Sequence, residues 1–413
     1  MEKCVAVIDL KSFYASCECS ARHLDIFSTP LVCCDPYRSS SSIVMSATPY
    51  LKKKYGIPNV CRRRDLPRVP GMIYAVPRMS FYLQMSAKVN SIFLDYIAEE
   101  DLHVYSVDES FLNLGPYLNL YHCSAEVIVS KIQKDIKEKL GLVATAGIGP
   151  NMFLAKIALD QEGKKHEPYI AHWDYEDVPT KLWKVNPITE IWGIAGGTSS
   201  HLARIGIHSL KELAEADVAL LSKEFGVMGY QLHQLANGID DSDIECKYEP
   251  KEKGLSNGQT LRRDYFKNEA ILLLREMNDD LARRLRETGA MARKVSLWIG
   301  YGHDGGSYAK QMTLPLLTDQ TDSLYAGIAE LFALAPDLPI RGLGISYGQL
   351  RQSEKEQLSL FEEPEVSQER KRLDESLDMI RSVYGSNSVL RCSSLLDGST
   401  AKQRHEQIGG HKR

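Results

Sequence analysis

No stretch of these 413 residues approaches the roughly 20 consecutive apolar residues that a membrane-spanning helix needs, so no membrane span is expected. The opening MEKCVAVIDL carries Glu2 and Asp9, which spoils the apolar core of a secretory leader. The nine cysteines are odd in number and lack C-x-x-C pairing, so neither a disulfide framework nor a zinc site is expected. Cys17, Cys19, Cys33 and Cys34 lie close in sequence, but no histidine at ligand spacing joins them. These absences predict a cytoplasmic protein with free thiols. An excess of positive charge is missing too, since the net charge is −4. That figure averages unlike segments. Residues 52–68 hold Lys52, Lys53, Lys54, Arg62, Arg63, Arg64 and Arg68 against the single acid Asp65, while Glu354, Glu356, Glu362, Glu363 and Glu365 crowd together later. A local basic patch suits phosphates, and equally a solvated face.

With 43% hydrophobic and 25% charged residues the chain is globular, and its length predicts two to four domains. CVAVI, residues 4–8, reads as a short buried strand ending at Asp9. SFYASCECSARHL follows as a helix with Ser12 at its N-cap. SIVMSA is a second strand, and TPYLKKKYGI a helix with a Thr N-cap and Pro in the first helical position. Further on come the helix MSFYLQMSAKVNSIFLDYI, the strand VYSVDE, an amphipathic helix SAEVIVSKIQKDIKEKLGL, the strand VATAGIG and the helix NMFLAKIALD. This order predicts an α+β domain with a mixed, largely antiparallel sheet. From about residue 170 short helices alternate with glycine turns, in ITEIWGIAGGTSSHLARIGI and LLSKEFGVMGYQLHQLANGI. Such turns present backbone N–H groups at helix starts, which suits phosphate, and equally serve simple helix packing. A polar linker then leads to a smaller α/β unit, and the residues beyond it read as a flexible tail.

Within VYSVDESFLNL, residues 104–114, Asp108 and Glu109 stand side by side between apolar neighbours. Adjacent residues of a regular strand face opposite sides, so a shared site requires the chain to turn there. Asp9 ends the first strand at the edge of the same sheet. Three converging carboxylates repel one another and are tolerated only with cations between them. Oxygen ligands of this kind suit Mg²⁺, and two such ions about 4 Å apart serve in-line phosphoryl transfer. The plainer reading is a hairpin turn whose acids face water. In TPYLKKKYGI, Tyr50 and Lys53 share a helical face close to the helix start, a place that favours an anion. Lys164, with Lys165 as its alternative, adds a further cation.

VIDLKSFYASCE, SATPYLKKKYGI, YSVDESFL and GIGPNMFLAKIALD, in that order, resemble the signature segments of the Y-family (translesion) DNA polymerases. The likeness is to the UmuC branch and to the UvrX-like proteins of Gram-positive bacteria, and runs from Met1 to about Gly348. It implies an α+β, multidomain right-hand polymerase with palm (1–10 and 75–168), fingers (11–74), a helical thumb with helix-hairpin-helix-like turns (169–238), a linker (239–250), an α/β little finger (251–350) and a flexible tail (351–413). It implies template-directed, error-prone translesion synthesis in an SOS response to DNA damage, adding dNMP to a primer 3′-hydroxyl. Asp9, Asp108 and Glu109 would be the catalytic carboxylates, holding two Mg²⁺ ions with the carbonyl of Leu10. Phe13 and Tyr14 would meet the incoming sugar, with Tyr14 as steric gate. Tyr50, Lys53 and Lys164 would hold the triphosphate. The family usually has Arg at the position of Lys53 and often Gly at that of Ala195.

QLSLF, residues 357–361, resembles the pentapeptide by which bacterial polymerases dock on the sliding clamp. Gln357, Leu358, Leu360 and Phe361 would make that contact, with Leu360 and Phe361 as anchors. The implied partners are primer-template DNA, dNTP and the clamp, with room for a recombinase filament or an accessory subunit, and the implied location is cytoplasmic and nucleoid-associated. Two other readings compete. A palm-type nucleotide cyclase shares the acid pattern but needs neither the helical turns nor a clamp peptide. A non-catalytic DNA-binding accessory would not need all three acids.

Overall fold

A computed structural model describes residues 3–37, 39–246, 250, 252–302, 305–352 and 364–413. The chain divides into two compact units, Met1–Tyr248 and Glu249–Arg413.

The first unit is built on a five-stranded sheet in the order Ile170–His172, Ala144–Gly149, Val5–Leu10, Glu109–Asn113, Leu102–Val104. All neighbours are antiparallel except the first pair. Val5–Leu10 lies in the middle because it is apolar on both faces: Ala6, Val7 and Ile8 are buried. Helices Met79–Leu94 and Ala125–Leu140 lie along it, turning Tyr82, Val89 and Phe93, and Ile128, Ile132 and Ile136, inward. Helix Met152–Ala158 lies so close to the sheet that a Cβ on Gly147 would stand 2.1 Å from the Ala155 carbonyl oxygen. Only glycine permits that approach.

Helix Phe13–Ser20 follows the central strand directly. Ser12 occupies its N-cap position but with φ 49°, and its side chain makes no capping hydrogen bond. Thr48, ahead of helix Pro49–Tyr55, also leaves the helix uncapped and donates instead to the Thr29 carbonyl at 2.7 Å. Beyond residue 173 come the short helices Gly196–Arg204, Leu210–Glu215, Val218–Phe225 and Val227–Ala236, with a core that includes Trp173, Leu182, Leu202, Leu213 and Leu232. Part of the expected linker is held: Asp240 accepts from the Phe153 N–H at 3.1 Å, and Ile244 is buried with Val7 and Phe111. One apolar residue and one helix-capping acid were enough to fasten a polar stretch.

The second unit has a four-stranded antiparallel sheet, Leu255–Tyr265, Ile340–Gly348, Ala290–Tyr301, Ser307–Thr318, with short Arg351–Gln352 added beside Ala290. Helices Lys267–Glu287 and Thr321–Ala333 bury Leu273, Met277, Leu281 and Leu324, Ile328 against it. The expected flexible tail is ordered from residue 364 onward. Helix Pro364–Tyr384 is clamped by Arg286, which reaches Asp378 at 2.6 Å and Asp374 at 3.3 Å. Arg391 pairs with Asp279 at 2.5 Å, and Arg404 pairs with Asp280. The segment has few apolar residues, so composition reads as loose; charge pairing to one helix face fixes it. QLSLF, 357–361, lies outside the described residues.

Candidate active site

Asp9 and Glu109 are direct partners across the pair of central strands, so their side chains leave the same face of the sheet. Glu109 opens its strand and Asp108 lies in the turn before it. The turn is held by Tyr105 and Ser106, whose N–H groups both donate to the Glu109 carbonyl, and by Leu10, whose N–H donates to the Asp108 carbonyl at 2.9 Å. Strand alternation is thereby suspended for one residue, and three acids share one end of the sheet. Below this hairpin Phe111 stacks on Trp192 at 6.0 Å, and Trp192 donates its indole N–H to the Tyr105 hydroxyl at 3.1 Å. The first residue of WGIAGGT therefore braces the acidic turn.

Each acid is occupied by a different partner. Lys164 Nζ lies 3.1 Å from Asp9. Lys156 Nζ lies 2.7 Å from Glu109 Oε1. Ser106 Oγ donates to Asp108 at 2.8 Å. Asp160 joins the two lysines, 3.1 Å from Lys156 and 2.9 Å from Lys164. The lysines are aimed by a break in the helix, because residues Leu159–Gly163 form a π turn. Gly163 fits it to the sheet, where a Cβ would stand 2.3 Å from the Ala146 carbonyl oxygen. With that extra residue in the helix, Lys164 faces Asp9, while Lys165 is exposed.

Burial pushes the Asp9 carboxyl up to about 6; Lys164 opposes the rise, and Asp108 and Glu109 add to it. Burial disfavours the Lys164 charge, but Asp9 and Asp160 outweigh it and hold the ammonium above its usual range. Lys11 and Lys52 are held below theirs by burial, and both feel the charges of Asp9 and Lys164. Lys52 is half-buried and Lys53 exposed. On the helix Pro49–Tyr55 they diverge by about 100°, and it is Lys52 that turns toward the acids. Tyr50 accepts a hydrogen bond from Lys54 at 2.9 Å. Phe13, expected to meet a sugar, is 2% exposed and belongs to the core; the left-handed Ser12 starts the helix with that ring turned inward. Tyr14 is half-exposed, with the buried Tyr82 ring 4.9 Å behind it.

Two family models match the chain: the impB/mucB/samB family over residues 8–160, and that family's C-terminal domain over residues 252–360. The UvrX protein of Bacillus subtilis (strain 168), named for UV-damage repair, is 36% identical over 99% of this chain and 98% of its own. DNA polymerase IV 2 of the same organism is 31% identical over 99% of each. The chain belongs to the Y family of DNA polymerases. A Y-family DNA polymerase chimera of Dbh and Dpo4 shares the fold, with a TM-score of 0.67 over 85% of this chain and all of the other, at 19% identity.

Y-family polymerases are metal-dependent nucleotidyltransferases, and this member is a DNA-directed DNA polymerase of translesion synthesis. Its donor set fits a hard divalent ion: all oxygen, with a buried Glu109 Oε1 that accepts no hydrogen bond despite the nearby ammonium. The carboxylates are not drawn together. Among the described residues, no three acids, histidines or cysteines stand close enough to hold an ion. Like charges separate, each toward its own countercharge. Sequence reasoning did not single out Lys156, Asp160 or Lys11, and held Lys52 only as a member of the basic patch. The spacing of Lys156, Asp160 and Lys164, four residues apart each time, was the available signal.

Proposed function

We propose that Asp9, Asp108 and Glu109, with the carbonyl of Leu10, hold two Mg²⁺ ions at this end of the sheet. When bound, such ions stabilise charge on the attacking and leaving oxygens of phosphoryl transfer. The observation that carries the reading is the in-register pair Asp9 and Glu109 beside the turn that brings in Asp108. Lys164 is placed to exchange Asp9 for a triphosphate oxygen, since its ammonium remains charged and only half-buried. Lys52 faces the same acids, and Tyr50 and Lys53 of its helix would hold the triphosphate from the exposed side. Tyr14 presents its ring beside the acids, where it would exclude a ribose 2′-hydroxyl. The first unit then supplies palm, fingers and thumb, and the second the little finger. QLSLF provides a sliding-clamp contact that keeps a distributive enzyme on primed DNA in the cytoplasm, at the nucleoid.

Primer extension by purified protein tests this reading. Asp108→Ala should lower the extension rate by ~10³-fold or more through lost electrostatic stabilisation, while circular dichroism stays native. Extension by the variant at the wild-type rate would end the assignment.

A further inference from the structure

Behind Tyr14 stand the buried Glu18, Cys33 and Tyr82, joined by the more exposed Arg22 and Arg78, a set that the chemistry of phosphoryl transfer does not use. Glu18 lies one helical turn after Tyr14, on the same face of helix Phe13–Ser20, and its side chain is fully buried. A buried carboxylate is costly unless every oxygen is engaged. Here both are. Arg78 donates to Oε1 and Oε2 at 2.9 Å each, Arg22 pairs with Oε2, and the Tyr82 hydroxyl donates to Oε1 at 2.8 Å. Those hydrogen bonds outweigh burial and hold the Glu18 carboxyl below its usual range. The Cys33 thiol, 3.7 Å from the Tyr82 hydroxyl, completes the enclosure.

The consequence falls on Tyr82. Its side chain comes from helix Met79–Leu94 and is completely buried. Its ring therefore cannot shift without breaking the bond to Glu18 and taking a buried hydroxyl away from its carboxylate acceptor. That immobile ring is the surface against which Tyr14 rests, at 4.9 Å and an interplanar angle of 39°. A hydrophobic neighbour of the same size would fill the space without fixing it.

We propose that Tyr82, anchored by Glu18 and Arg78, is a positioning residue for sugar selection: it sets how far the Tyr14 ring reaches toward the nucleotide. The inference rests on the reading of Tyr14 as the steric gate. Exclusion by contact depends on position, and a displacement on the order of 1 Å can change a rate ~100-fold. Freed from its backing, Tyr14 can retreat and admit the larger sugar.

The test is single-nucleotide incorporation by the full-length protein on primed DNA, with kcat/KM measured for a dNTP and for the matching ribonucleotide. Tyr82→Phe keeps the core filled, so it folds, and it should lower the selectivity for dNTP by about 5-fold; Tyr82→Ala should lower it by ~50-fold, toward the limit that ring displacement sets. The change should appear as a rise in ribonucleotide kcat/KM rather than a fall for dNTP. In a Tyr14→Ala background Tyr82→Phe should have no further effect on selectivity, because residues that act through one another are non-additive. Glu18→Gln should behave as Tyr82→Phe does. If Tyr14→Ala relaxes selectivity while Tyr82→Phe and Glu18→Gln keep that of the wild type, the positioning role is wrong and the gate stands. If Tyr14→Ala leaves selectivity unchanged, the gate itself is wrong and the inference falls with it. Equal losses from Tyr82→Phe with and without Tyr14 would show general loosening and would also overturn it.

Discussion

Asp9 and Glu109 face each other across two strands, yet each carboxylate is taken by a different lysine of one broken helix, Lys164 for the first and Lys156 for the second. Asp160 lies between these lysines and touches both. The site is therefore an alternating array of acids and ammonium groups, each acid set against its own countercharge.

The cost of that array is visible in pH. Asp9 rises from an ordinary 3.8 to about 6, so the folded state binds its proton more tightly than the unfolded state does. Its stabilising contribution is complete below pH 4 and is lost as pH climbs through 6, an effect of about 3 kcal/mol. In EDTA, the Tm of Asp9→Asn relative to wild type should increase between pH 4 and 7. A Tm difference that does not vary over this range would rule out the shift.

Lys164 and Lys165 should separate cleanly. Lys164→Ala removes the cation next to Asp9, and the KM for dNTP should rise ~10-fold, in line with losing one charge-assisted phosphate contact. Lys165→Ala should stay within about 2-fold, since an exposed lysine contributes little. The opposite ranking in steady-state incorporation would show that the π turn does not persist with substrate bound.

Gly147→Ala probes the closeness of helix and sheet. The added methyl has no room beside the Ala155 carbonyl, so the helix carrying Lys156 must move outward. Overpacking of this kind should cost about 3 kcal/mol or more. Urea denaturation should show a midpoint well below wild type, and a near-normal midpoint would mean that the helix shifts freely.

Changing Leu360 and Phe361 together to Ala should remove stimulation by a loaded sliding clamp, with clamp-free extension as the reference. On the proposal that Leu360 and Phe361 anchor the clamp, docking on it raises local concentration toward the mM range, and losing both side chains forfeits that gain. Equal stimulation of variant and wild type would exclude the pentapeptide as the contact.

Four segments of local sequence carried the family, because the residues they hold are close in the chain: Asp108 beside Glu109, Tyr14 five after Asp9, Lys53 three after Tyr50. Alternation and helical spacing also gave the strands around those acids, since burial on one face leaves a periodic trace. Other relationships depend on partners far apart in sequence. Phe13 is buried in the core while its neighbour Tyr14 is half-exposed, a difference that packing decides. Lys52 rather than Lys53 turns to the acids because of how one short helix is set. Helix Pro364–Tyr384 is ordered because Arg286 meets Asp374 and Asp378 some 90 residues on. Glu18 and Tyr82, separated by 64 positions, become the backing of Tyr14 only when two helices pack. The sequence by itself determined which chemistry this protein holds, because local pattern and residue type are written along the chain. The tertiary structure alone decided which cation meets which acid, because long-range packing sets distances that no local pattern encodes.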